Sequence, residues 1–219
     1  RSGATTSDDA EILKVNETSD NVVAAEWGED APYNLYCPKD NNDKRCATGC
    51  VATAMAMAMN YFKYPDAGTG MGWYSVTTEV EGAKPDIDTI YNVPIDGQYK
   101  WDNMKDTYAP NALAKNLATL MYDCGKSIGM EYSANQSAAY QNQVAYALAY
   151  NFGYDSLSVN YFNRSYLSNK EWYTIVRNEL ENRRPIISGG HEDEDGGQQF
   201  IVTEINTDGM VDVKWGWDR

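Results

Sequence analysis

The sequence predicts an α+β domain from three observations. An Ala- and Met-rich segment and three amphipathic segments with apolar residues three and four apart come first. Short β-branched runs separated by turn residues come last, and no internal repeat or low-complexity tract intervenes. The 219 residues are 42% hydrophobic and 12% aromatic, long enough to bury a core and too apolar for disorder. Residues 1–20 read as a polar N-terminal arm, and residues 21–219 as the folded domain.

In the arm, Ile12, Leu13 and Val15 form the one large apolar cluster, enough to pack a single short strand. Tyr33 to Arg45 reads as loop, because Pro32, Pro38 and Asp40-Asn41-Asn42-Asp43 break any period. From Cys50 to Phe62, alternating Ala and Met predict a helix, and its small residues on nearly every face predict burial all round. Pro65 ends it, and Gly68, Gly70 and Gly72 follow in a turn-rich stretch. Residues 73–108 hold scattered Trp and Tyr and read as irregular.

A helix is predicted from about Asn111 to Ile128, with Leu113, Leu117, Leu120, Met121, Cys124 and Ile128 on its core stripe. Another runs from about Ala138 to Phe152, with Tyr140, Val144, Leu148 and Phe152 in register. The last runs from about Ser168 to Asn182, carrying Trp172, Ile175, Val176 and Leu180. Pro185 to Ser188, Gln199 to Ile205 and Met210 to Trp217 read as strands, with Thr207-Asp208-Gly209 as a turn between the last two.

Charge narrows the partners. With 18 Lys+Arg against 32 Asp+Glu, the net charge of −14 repels phosphate backbones and anionic lipid, so neither nucleic acid nor membrane is expected. No apolar run approaches the roughly 20 residues of a membrane helix, and the polar start Arg1-Ser2-Gly3-Ala4 is no signal peptide. Four cysteines, Cys37, Cys46, Cys50 and Cys124, make neither a disulfide scaffold nor a zinc pattern. Cys37 and Cys46 either bridge a short polar loop or stand as thiols. No cofactor or metal is implied: the acidic run Glu192-Asp193-Glu194-Asp195 matches no EF-hand spacing and reads as solvated charge.

One segment is built for nucleophilic chemistry. Cys50 follows Gly49 and opens the Ala-rich helix, where the positive end of the helix dipole favours a thiolate. The plainer alternative is a buried Cys packed as a small hydrophobe.

Ala47-Thr48-Gly49-Cys50-Val51-Ala52-Thr53-Ala54, with Met59-Asn60-Tyr61-Phe62-Lys63-Tyr64-Pro65, closely resembles the nucleophile segment of the streptopain family. Those are papain-like, secreted bacterial cysteine peptidases. The resemblance extends from Ala31-Pro32-Tyr33-Asn34 through Tyr99-Lys100-Trp101-Asp102-Asn103-Met104 and Asn151-Phe152-Gly153-Tyr154. It ends with Gly196-Gly197-Gln198-Gln199-Phe200-Ile201 and Trp215-Gly216-Trp217. It implies a two-lobed papain-like fold, with a helical lobe on the Cys50 helix, an antiparallel β lobe, and a cleft between them holding Cys50 as nucleophile and Trp215 as a cleft aromatic. It also implies a secreted or cell-surface location.

The catalytic pattern departs from the family at three places. A papain-like peptidase needs an imidazolium beside its thiolate, a neutral donor for the oxyanion, and a group to orient the imidazole. Gln198 stands at the family's catalytic His and has no proton to give near neutral pH. Glu29 stands at the oxyanion Gln, where a carboxylate accepts and repels developing negative charge. Lys214 stands at the orienting Asn, and a Glu29–Lys214 salt bridge would close the cleft. Past Trp217 the family continues with glycines where this sequence has Asp218-Arg219, so a C-terminal part of the family's domain is expected to be missing.

The expected function is therefore that of a pseudopeptidase, binding a protein or peptide without cleaving it and open to a propeptide or inhibitor-type partner. The alternative is an active endopeptidase pairing Cys50 with His191, the single histidine, carried on a glycine-flanked loop from Gly189 to Gly197. A structural or carbohydrate-binding module has only the aromatic content behind it.

Overall fold

The computed structural model describes residues 23–192, 196–205 and 211–215, with side chains described through Gly189. The predicted arm at 1–20, the turn at 207–209 and the terminal Trp-Gly-Trp and Asp-Arg pairs lie wholly or partly outside the described residues.

Helix α1 (Cys50–Phe62) is the axis of the core, and every residue from Cys50 to Met59 is buried. Ala on most faces lets neighbouring elements approach closely, while Met55, Met57 and Met59 fill the gaps between them. Each such side chain contributes roughly 1.5–3 kcal/mol of transfer free energy. The helix stops before Pro65. Lys63 turns left-handed at φ 47°, and its N–H reaches back to Asn60 and Met59 carbonyls.

Two strands occupy the stretch expected to be irregular. Strand β1 (Met71–Thr78) pairs antiparallel with β2 (Asp86–Pro94), and β3 (Glu131–Ser133) adds parallel to β1 on its other side, in the order β2-β1-β3. The sequence hides them because nearly all of β2 is exposed, so Asp86-Ile87-Asp88-Thr89 lacks a buried face to alternate with. Backbone pairing with β1, rather than an apolar stripe, holds β2 in place. A sheet thus precedes the amphipathic helices, which corrects the simple order of helices first and strands last.

Helix α2 (Lys115–Ser127) is shorter than predicted. Leu113, expected on its stripe, is 78% exposed in the irregular segment before it, whereas Leu117, Leu120, Met121 and Cys124 are buried. Helix α3 (Gln143–Tyr150) likewise begins late, because Ala138 is taken up by a bridge to Glu131, and Tyr140 is left 75% exposed. Helix α4 (Asn169–Glu181) starts on a capping box, Ser168 accepting from Glu171 N–H and the Glu171 side chain returning to Ser168 N–H.

A buried ion pair fixes α2 to the first sheet. Lys126 Nζ lies 2.7 Å from Asp123 Oδ1 and donates to the Pro94 carbonyl at 2.6 Å. Asp123 also accepts from the Tyr99 hydroxyl at 2.8 Å and from Gly97 N–H at 3.0 Å. Both charges are thus hydrogen-bonded on several sides, as burial demands.

The second sheet has the order β4-β5-β6, all antiparallel: β4 (Ile186–Glu192), β5 (Gly196–Ile205) and β6 (Val211–Trp215). Strands β4 and β5 lie against α1. His191 is therefore on a strand, paired with Gly197, and not on the swinging loop that the flanking glycines suggested. Glycine at 189, 190, 196 and 197 reads as loop in sequence, but the ladder runs through it.

Candidate active site

The start of α1 is set by backbone geometry. Gly49 precedes Cys50 at φ 86°, and a Cβ there would sit 2.7 Å from both Sδ and Cε of Met130. Only glycine meets both conditions. The Gly49 carbonyl accepts from Thr53 twice, from N–H at 3.0 Å and from Oγ1 at 3.1 Å. Thr48 and Thr53 hydroxyls share a hydrogen bond of 2.8 Å.

Two segments flank this turn. On one side Thr48 N–H donates to the Glu29 carbonyl at 2.9 Å, and Asn34 Nδ2 donates to the Cys46 carbonyl at 3.1 Å. On the other, Ala47 N–H donates to the Ser133 carbonyl at 3.1 Å, and Ser137 Oγ donates to the Ala47 carbonyl at 2.8 Å. Met130 and Ser137 are supporting residues that sequence reasoning missed, because nothing in their spacing ties them to Cys50; Asn34 belongs to the family-like string at 31–34, without its bond to Cys46 being foreseen. Cys50 itself is a buried residue, at 8% exposure. All four cysteines are thiols, so the Cys37–Cys46 bridge is not formed.

Glu29 is brought to the turn immediately ahead of Cys50. The Glu29 carboxyl accepts the Gly49 N–H, and its pKa is pushed up from 4.5 to about 7. Burial is the main cause, the neighbouring Asp30 charge adds to it, and the Gly49 hydrogen bond partly opposes both. On the acid side of neutrality this group is a carboxylic acid with an O–H to donate, and above it a repelling carboxylate. Glu29, Asp30, Tyr33, Asn135 and Gln136 line a cavity of about 150 Å³ beside the turn.

The remaining candidates lie on the second sheet, and its register sorts them. Gln198 pairs with Gly190 and Trp215 with Phe200, so positions 190, 198, 200 and 215 form one alternating set. His191 pairs with Gly197 and Lys214 with Ile201, so 191, 197, 201 and 214 form the other. Position 191 is therefore not in the same set as position 198, and neither is position 214. Among the residues with described side chains, no cluster of three or more His, Cys, Asp or Glu is placed to hold a metal ion.

These features have counterparts in known proteins. The Peptidase C10 family pattern matches residues 27–218. The chain is 29% identical to the thiol protease/hemagglutinin PrtT of Porphyromonas gingivalis, over 95% of this chain and 23% of that protein. It is 30% identical to streptopain of Streptococcus pyogenes, over 87% of this chain and 50% of that one. The chain thus spans half or less of the length of these curated relatives. Among solved structures, active wild-type interpain A cysteine protease of Prevotella intermedia superposes with a TM-score of 0.75 at 33% identity, covering 93% of this chain and 84% of that one. A prointerpain A fragment gives 0.74 at 34%, covering 93% and 63%. The fold is the papain-like fold of those proteases. With a thiol opening its buried central helix and a matching pattern along nearly its whole length, the chain belongs to the Peptidase C10 family of streptopain-like cysteine peptidases.

Proposed function

We propose that this chain is a pseudopeptidase: a C10 peptidase fold that binds a protein or peptide in its cleft and does not cut it. The observation that carries this is the residue at position 198, a glutamine on the strand β5 that lies against the Cys50 helix. A thiolate–imidazolium pair needs a titratable ring there, and glutamine supplies neither the base nor the general acid. Losing a general acid/base alone costs on the order of 10²–10⁴-fold in rate. Glu29, charged above neutrality, adds repulsion at the oxyanion position. Lys214 stands at the family's orienting Asn in sequence, and lies in the alternating set opposite to that of position 198. A secreted or cell-surface location, and a propeptide or inhibitor-type partner for the cleft, accompany this proposal by family likeness.

The competing proposal, an active endopeptidase that pairs Cys50 with His191, needs His191 to act from the alternating set opposite to that of position 198. Casein cleavage separates the two. The parent chain should leave casein intact, and the triple variant Gln198→His, Glu29→Gln, Lys214→Asn should cut it. Cleavage by the parent that Cys50→Ala and His191→Ala each abolish would establish the active enzyme instead.

A further inference from the structure

The N–H groups of a helix's first turn have no intrahelical partner, and they leave a positive end that attracts an anion. In α1 the helix's own sequence supplies none: its first turn holds no acidic residue, and no side chain caps it. The Glu29 carboxyl comes in from another segment and accepts the Gly49 N–H, one residue ahead of the helix. The Glu29 main chain is fixed to the same turn, because its carbonyl accepts Thr48 N–H at 2.9 Å. Side chain and backbone of Glu29 are thus both tied to the residues that lead into Cys50.

Cys50 is the other group able to place an anion at this helix end, since it is the first residue of α1. The two compete there. The same dipole stabilises either anion, and each anion repels the other. The surroundings of Glu29 offer nothing to offset a second negative charge. Its own segment contributes Asp30, whose charge opposes ionisation, and Tyr33. The segment after β3 contributes the neutral amides of Asn135 and Gln136. From Cys50 to Phe62, α1 carries no charged residue. None of the described residues lining the cavity beside the turn is a cation.

The electrostatics therefore run opposite to those of a working thiol peptidase. An imidazolium beside a sulfur favours the thiolate, whereas a carboxylate beside it favours the thiol. We infer that Glu29 acts as a proton-dependent brake on Cys50: the Glu29 carboxylate takes the positive end of α1 and keeps the Cys50 sulfur protonated, and the neutral Glu29 acid lifts that restraint. With the Glu29 pKa pushed up to about 7, the brake engages as pH rises into the range where thiols begin to ionise. This gives the site a second cause of inertness besides Gln198. It rests on the reading of Cys50 as the nucleophile position, and it does not depend on whether casein is cut.

The test compares the full chain with Glu29→Gln, which keeps the side-chain shape and removes the charge. N-ethylmaleimide, an uncharged thiol reagent, labels both proteins at about pH 5.5 and about pH 8, and mass mapping follows Cys50. At the acid pH the two should label at equal rates. At the alkaline pH the variant should label on the order of tenfold faster, with the ratio rising through about pH 7. A merely structural role for Glu29 would change the rate by one factor at both pH values. The Cβ shift of Cys50, in protein labelled with carbon-13 cysteine, gives the thiol dissociation constant without reagent access. That constant should be about tenfold larger in Glu29→Gln. The inference is overturned if the labelling ratio does not change with pH or if the two dissociation constants agree. It is also overturned if the Glu29 carboxyl carbon of the parent titrates at or below its ordinary 4.5, as a salt bridge with Lys214 would require. Casein cleavage by the parent would defeat the pseudopeptidase reading and leave these ratios as they are.

Discussion

The Glu29 carboxyl accepts the main-chain N–H of Gly49, the residue immediately ahead of Cys50. Its folded pKa of about 7 lies above the ordinary 4.5, so the folded state holds this proton more tightly than the unfolded chain. The stability linked to it is full below about pH 4.5 and is lost as pH rises through about 7. Glu29→Gln should therefore match the parent at pH 4 and exceed it at pH 8, by on the order of 2 kcal/mol once solvent screening is allowed for. Thermal melts at the two pH values check this; a difference that does not change with pH would refute it.

Gly49→Ala should destabilise the protein by about 2 kcal/mol or more, through a left-handed φ and a clash with Met130. Adding Met130→Ala should relieve the clash and leave the backbone strain. Urea titrations of the two variants would show partial, not complete, recovery relative to Met130→Ala alone.

Much of this was open to view in the sequence, and the reasons are local. The Ala/Met composition of α1 carries its burial, and Ser168 with Glu171 carries the start of α4, because both signals reside in contiguous residues. Strand β2 left no trace, since an exposed strand has no buried face to impose a period. The glycines around His191 suggested a loop, but pairing between β4 and β5 is a tertiary fact that composition does not encode. At the site, Cys50 stands out by its place at the start of the Ala-rich helix, and Glu29 through family likeness. Ser137 and Met130 do not, because they act through one backbone carbonyl and one missing Cβ.

The Asp123–Lys126 pair is buried and surrounded by partners, so removing one charge strands the other. Asp123→Leu should cost about 3–5 kcal/mol. The double change Asp123→Leu, Lys126→Met should cost clearly less. Chemical denaturation of both variants tests this, and equal losses would show that the charges are not coupled.

Cys37 and Cys46 are buried thiols whose pKa values burial pushes up to about 12 and about 11. At pH 8 neither should react with a disulfide reagent in the native protein, and both should react within minutes once it is denatured. Mass mapping of the labelled peptides gives the answer; prompt native labelling of either would contradict the burial.

The turn ahead of Cys50 is held by main-chain bonds, two threonine hydroxyls and contact with Met130, none of which donates or accepts a proton in a reaction. Position 29 is one of the turn's own supports, through its bond to Gly49, whereas positions 198 and 214 stand on the second sheet, apart from those supports. A change at 29 therefore alters the framework and the chemistry together.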